Sequence, residues 1–444
     1  MPYDLIIRNG RLVPARGYNL SSLAISDGKI VEMGPDISGT AREEIDATGL
    51  HVFPGVIDPH VHFNEPGRTE WEGISPGSAA LAAGGGTCFF DMPLNSSPPV
   101  LDGPSFDLKL AAAQEKSVTD FALWGGLTPD NLDKLEELSE RGVIGFKAFM
   151  SNSGIDDFRM ADDFTLYRGM QIAAKLGRIV AVHAENDAIT SGLAAEAARA
   201  GRTGPLDYAR SRPVAAEVEA IKRVIALAEE TDCQVHIVHV SSEAGSWAAH
   251  VGDSLSGVTY ETCPHYFLLT EDDLVRIGAR AKCAPPLRSQ EHVDHLRYVL
   301  STAEVSFVAS DHSPSPPSMK EGDDFFKIWG GVAGVQSTLP ALFSIDPPLK
   351  PDTVADLIAT NVATRFGLRG KGSIAKGNDA DFALVDLAAT YELTRDMLLD
   401  RHKLSPYVGR TFRGRVVRTI VRGTTVYRDG KIVSKPLGRL VKSA

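Results

Sequence analysis

The sequence predicts an α/β chain: a (β/α)8 barrel with a small β-sandwich domain built from both chain termini. Three observations carry that reading. The chain has 444 residues, more than one compact core of ordinary size accommodates. Its middle, residues 53–375, holds eight apolar strand candidates, most of them separated by stretches rich in Ala, Leu, Glu and Lys. Its two ends, residues 1–52 and 376–444, read as short strands joined by tight turns.

The N-terminal end contains Leu5–Arg8, a turn at Asn9-Gly10, then Arg11–Val13. Leu23–Ser26 leads through Asp27-Gly28 to Lys29–Val31. Asn-Gly and Asp-Gly between apolar strands predict hairpins. The middle strands are Val56–His62, Thr87–Asp91, Phe121–Trp124, Ile144–Phe149, Ile179–His183, Gln234–Val240, Val258–Thr262 and Val305–Ser310. Leu108–Lys116 and Val214–Glu230 are among the predicted helices, and Ser313–Pro317, with three prolines, predicts a rigid loop. Sheet texture returns at Asp381–Val385, at Val416–Arg422 and at the Asp429-Gly430 turn. A chain that leaves a small sheet and re-enters it holds its large middle as an insertion.

Composition narrows the function classes. Hydrophobic residues make up 43% and charged residues 23%, ordinary for a globular protein. The net charge is −11 and no basic stripe stands out, which argues against nucleic acid or an anionic membrane surface as a partner. No apolar run approaches the ~20 residues of a membrane span. The start, Met1-Pro2-Tyr3-Asp4, lacks a signal-peptide pattern, so a cytoplasmic location is expected. Cys88, Cys233, Cys263 and Cys283 are widely spaced and lie in or beside apolar runs, which predicts buried thiols in a reducing compartment.

In barrels of this kind the working side chains sit at the C-terminal ends of the strands. The first strand ends in His60 and His62, which alternation places on one face. Neutral imidazole is a common metal ligand. The fourth strand carries Lys147, the fifth ends in His183, the sixth in His239 and the eighth in Asp311. Each has an ordinary explanation alone: a hydrogen-bonded structural histidine, or an aspartate capping a turn. Those explanations account poorly for all six at the strand ends together. Four imidazoles and one carboxylate leave two divalent ions under-neutralised, so a second anionic ligand is needed to bridge them. Lys147 lies in an apolar strand, where burial favours the neutral amine.

These motifs resemble the cyclic amidohydrolases of the amidohydrolase superfamily, which comprise dihydroorotases, hydantoinases and allantoinases. The resemblance extends to Glu261–Tyr266 and Lys282–Arg288 and covers essentially the whole chain. It implies a carbamylated Lys147 bridging two divalent metal ions, with His60, His62, Lys147 and Asp311 on one and Lys147, His183 and His239 on the other. Zinc is the first expectation, and cobalt and manganese suit the same donors. Asp311 is then both ligand and proton carrier. Dihydroorotases carry His-x-His-x-Arg, where the arginine grips a substrate carboxylate; here that position is Asn64. Hydantoinases place a tyrosine five residues after the lysine; here that position is Asn152. The runs His62–Gly73 and Asp91–Ser96 look like the allantoinase branch. The implied substrate is allantoin, an uncharged hydantoin opened to allantoate, and the implied assembly a homo-oligomer, a tetramer in the family.

Asn64, Asn95, Asn152 and Ser313 are candidates to bond the amide edges of the substrate, or else cap their loops. Trp329 walls the pocket or packs in the core. Arg68 meets an acid near the site, or pairs at the surface with Glu70 or Glu72. A D-hydantoinase or dihydropyrimidinase-like imide hydrolase is the alternative enzyme, with dihydroorotase behind it. A non-catalytic scaffold of the same fold would have lost ligands, and this chain keeps the full set.

Overall fold

The computed structural model describes residues 2–13 and 21–443. Strands β1 (Tyr3–Leu12), β2 (Ser21–Ser26), β3 (Lys29–Gly34), β4 (Ala41–Asp46) and β5 (His51–Pro54) come from the N-terminal end. Then β6 (Val56–Val61), β7 (Gly86–Asp91), β8 (Asp120–Leu123), β9 (Gly125–Gly126), β10 (Gly145–Phe149), β11 (Ile179–His183), β12 (Val235–Ile237), β13 (Thr259–Thr262) and β14 (Phe307–Val308) alternate with helices. The chain finishes with β15 (Phe382–Glu392), β16 (Thr411–Val421), β17 (Thr424–Arg428) and β18 (Lys431–Ile432).

Both chain ends meet in one sheet of order β18-β17-β16-β15-β5-β1-β2-β3, with β4 paired to β1. β5 is the seam: it runs parallel to β1 and antiparallel to β15. Leu5, Ile7, Leu23, Ile25, Val52, Phe382, Leu384 and Ile420 form its apolar core. The Asp27-Gly28 and Asp429-Gly430 turns join β2 to β3 and β17 to β18 as antiparallel pairs, with both residues of each turn at positive φ. The predicted hairpin at Asn9-Gly10 is corrected. β1 runs straight through it, with Asn9 at φ +60 and a register shift between Ile7 and Gly10. Below the shift β1 pairs with β2 and β4, and above it with β2 at Gly10 and with β5, so ladder bonds on both halves turn the local signal into a bulge.

The middle strands are parallel and follow chain order, β6-β7-β8 and β9 through β14. Ile144 N bonds Leu123 O at 2.9 Å between the two runs, and His62 N bonds His312 O at 2.7 Å, joining the chain beyond β14 to β6. The helix Gly103–Lys116 starts at Asp102, whose side chain accepts from Ser105 N at 2.9 Å. Val214–Thr231 ends at Asp232 in the left-handed region. β12 and β14 are shorter than the sequence predicts, because the chain leaves the ladder just before His239 and Asp311, both at positive φ. Among the described residues no helix is long and apolar enough to cross a membrane. The four cysteines are buried free thiols.

Candidate metal centre

The strand ends converge on a cavity of about 460 Å³ whose lining includes His60, His62, His183, His239 and Asp311. Nε2 of His60 and Nε2 of His62 lie 3.1 and 3.5 Å from Oδ1 of Asp311. These three buried groups are placed to hold one ion. Nδ1 of His183 lies 2.9 Å from Nε2 of His239, and the His60 and His239 rings are 5.5 Å apart, so the second pair adjoins the first. Lys147 lies two residues before Phe149, whose Cα partner across β10 and β11 is His183.

Burial, reinforced by neighbouring cations and at His183 opposed by Glu185, depresses the pKa of His60, His183 and His239, which favours the neutral imidazoles that metal ligands require. Burial also lowers Lys147 to about 7, against opposing pulls from Glu261 and Asp311. Its Nζ is buried without a hydrogen-bond partner, 5.1 Å from the centroid of the Phe149 ring. An orphaned amine is what a site for an added anionic group leaves behind, so the donor set fits divalent ions.

Two carboxylates that the sequence reading did not single out orient the histidines. Oε1 of Glu261 accepts from Nδ1 of His60 at 2.6 Å, and its Oε2 accepts from Nε2 of His236 at 3.0 Å. Oε2 of Glu185 accepts from Nε2 of His183 at 2.8 Å and is also bound by Arg212. Burial alone would raise Glu185, but Arg212 and His183 outweigh it and bring it to about 2. The bonds to His60 and His183 each fix a tautomer and aim the other ring nitrogen into the cavity, whereas Nδ1 of His236 bonds Thr259 Oγ1 at 2.9 Å. Glu261 lies in β13, the seventh of the eight predicted middle strands, and Glu185 is two residues past His183. Reading that strand end and the His-x-Glu spacing would have found both.

Asn95, Asn152, Ser313 and Trp329 all line the cavity. Asn95 Nδ2 donates to Ser313 Oγ at 3.4 Å, and Asn152 Oδ1 accepts from Gly154 N at 2.8 Å. Asn64 does not line it: its Nδ2 donates to Pro314 O at 3.3 Å. Asn64, Asn95, His239 and Asp311 all adopt positive φ, +62°, +67°, +43° and +45°, a concentration of unusual backbone at the site. Trp329 meets Trp71 edge-on at 4.8 Å. Arg68 pairs with Asp157 at 3.4 Å and lies over Trp71, rather than pairing with Glu70 or Glu72; Glu72 is buried and engaged by Arg401.

The Amidohydrolase family profile matches residues 51–426. The chain belongs to the amidohydrolase family. It is 55% identical over 444 residues to an allantoinase of Rubrobacter xylanophilus, covering 99% of this chain and 98% of that one. It is 53% identical to an allantoinase of Solibacter usitatus, covering 99% and 97%. An L-hydantoinase (dihydropyrimidinase) from Arthrobacter aurescens superimposes with a TM-score of 0.96 at 32% identity, over 99% of this chain and 100% of that one. Cyclic-amide hydrolysis is therefore the activity class of the family members it matches, and the buried His and Asp groups are those of a divalent-metal centre.

Proposed function

We propose that this chain hydrolyses the ring amide of allantoin to give allantoate, at two divalent ions bridged by carboxylated Lys147. The observation that carries the reading is the convergence of His60, His62, His183, His239 and Asp311 on one cavity, in a chain more than half identical over its length to allantoinases. His60, His62, Lys147 and Asp311 would hold one ion, and Lys147, His183 and His239 the other, zinc before cobalt or manganese. When bound, such ions polarise a carbonyl and bring water within reach of ionisation near neutral pH.

The protein's own groups supply the rest. Asp311 accepts the proton given up by the attacking water and returns it to the ring nitrogen as the C–N bond breaks. Glu261 and Glu185 hold the imidazoles of His60 and His183 in fixed tautomers. Asn95, Asn152 and Ser313 lie in the cavity wall, where they can bond the amide edges of the ring. No cation stands at the position of Asn64. Of the cationic wall residues, Arg212 is taken by Glu185, Lys282 by Ile328 O, and the exposed Lys327 by Asp324 at 3.2 Å. A substrate carboxylate would be desolvated there with little compensation, which favours an uncharged ring.

On this reading the parallel strands form one (β/α)8 barrel, residues 53–375, and the terminal sheet a β-sandwich domain from residues 1–52 and 376–444. A cytoplasmic homotetramer completes the picture. The decisive experiment compares kcat/KM for allantoin, dihydroorotate and a 5-monosubstituted hydantoin on one metal-loaded preparation with its metal quantified. Allantoin should lead dihydroorotate by roughly 30-fold or more, the worth of a missing charge-assisted contact. Equal or better turnover of dihydroorotate would overturn the assignment. A lead for the hydantoin would favour the hydantoinase reading, which the Arthrobacter neighbour supports.

A further inference from the structure

One wall of the cavity is the turn Ile328–Gly331, and its backbone is held in an unusual way. Three of its carbonyls accept from two lysine side chains. Lys282 Nζ bonds Ile328 O. Lys320 Nζ bonds Trp329 O at 2.9 Å and Gly331 O at 2.8 Å. The amides are held too: Trp329 N donates to Met319 O at 3.0 Å, and Gly331 N donates to Lys282 O at 2.7 Å. Lys282 lies over the Tyr208 ring at 4.4 Å, and Tyr208 Oη donates to Cys283 O at 3.0 Å, so this anchor is itself fixed. Gly331 sits at φ +135, and a Cβ added there would lie 2.1 Å from Ser313 O. Ser313 N in turn bonds Val332 O at 2.9 Å, which ties the turn to the chain just beyond Asp311.

A turn without regular secondary structure has no need of two buried lysine side chains as donors unless its position matters. What it carries is Trp329. That side chain borders the central cavity and also a second one of about 370 Å³, bounded by Arg68, Trp71 and the 154–157 loop. We propose that Lys282 and Lys320 are positioning residues that clamp Ile328–Gly331, so that Trp329 stands as the partition confining the polar arm on the substrate ring. The confinement rests on the ring-amide reading; the clamp does not.

The test uses the metal-loaded full chain with Lys320→Met and Lys320→Arg. Hydrogen–deuterium exchange at the Trp329 and Gly331 amides should speed up about tenfold in Lys320→Met and stay near parental in Lys320→Arg, since a guanidinium can still donate to the same carbonyls. KM for allantoin should rise about tenfold in Lys320→Met with kcat changed little, while unsubstituted hydantoin, which lacks the arm, should be affected far less. Unchanged exchange would overturn the clamp. Equal effects on both substrates would overturn the confinement. If the parent protein opened neither ring, the ring-amide reading and the confinement would fall together, and exchange would still decide the clamp. Should Lys320→Met not fold, Lys320→Leu, which also lacks a donor, serves the same comparison.

Discussion

On the proposed mechanism Asp311 carries two duties on one side chain. One oxygen faces both His60 and His62, and the reaction asks the carboxylate to move a proton as well. Asp311→Asn separates them, because an amide oxygen can still face an ion but cannot shuttle the proton. Turnover should fall about 10²–10⁴-fold, with metal content by elemental analysis close to parental. Near-parental turnover at neutral pH would remove Asp311 from the proton path. The candidate donors were legible because each lies in or just beyond a strand whose apolar run is plain in the sequence. Their supports were not, because His60 and Glu261 are 201 positions apart and nothing local pairs them. Asn64 shows the same limit from the other side: its spacing from His62 matches a substrate-contact position, yet Nδ2 turns to Pro314 O, 250 residues away.

At the scale of elements, strand existence was readable and strand length was not. Apolar runs placed every middle strand except the two-residue β9, but the ladder stops early at β12 and β14, where the chain twists out to present His239 and Asp311. The segment ahead of the helix Ile74–Ala83 is bound to the C-terminal part by Glu72, another contact no local pattern announces. Both carboxyl oxygens of Glu72 accept from Arg401 N at 3.3 Å, and Oε1 lies 3.8 Å from Nε2 of His312. Burial pushes Glu72 up to about 8 from the usual 4.5, against the pull of Arg401. Below pH 4.5 both folded and unfolded chains hold this proton. Between 4.5 and 8 only the folded chain does, so the contribution of Glu72 to stability is lost as pH rises through that window. Glu72→Gln stays neutral throughout. Relative to the parent, it should gain stability on going from pH 5 to pH 8, read from urea melts at both. An identical pH slope in the two proteins would show that Glu72 is ionised in the fold.

At the scale of the molecule, a buried charge network spans the terminal sheet and the parallel strands, beside an apolar core that both share. Lys371 Nζ lies 2.8 Å from Asp120, 3.0 Å from Asp379 and 2.6 Å from Asp381. Asp120 opens β8, whereas Asp379 and Asp381 lead into β15. Arg422, between β16 and β17, also binds Asp120, and Lys29 of β3 binds Asp379 at 2.7 Å. The sequence suggested that both ends share a sheet but gave no sign of this junction, since its members are spread from residue 29 to residue 422. The three carboxylates come close enough to hold a cation, and the ammonium of Lys371 plays that part. Removing it leaves buried carboxylates under-compensated, so Lys371→Met should cost about 3–5 kcal/mol. An exposed pair such as Lys327–Asp324 gives the contrast, where Lys327→Ala should change stability by no more than about 0.5 kcal/mol. All four tryptophans, Trp71, Trp124, Trp247 and Trp329, lie between residues 53 and 375, so fluorescence reports on that part and far-UV circular dichroism on the whole. In the parent the two signals should melt together. In Lys371→Met the dichroism midpoint should fall below the fluorescence midpoint, because the terminal sheet loses its anchor first. Coincident and unshifted midpoints would mean that the apolar seam at β5, not the charges, joins the two parts.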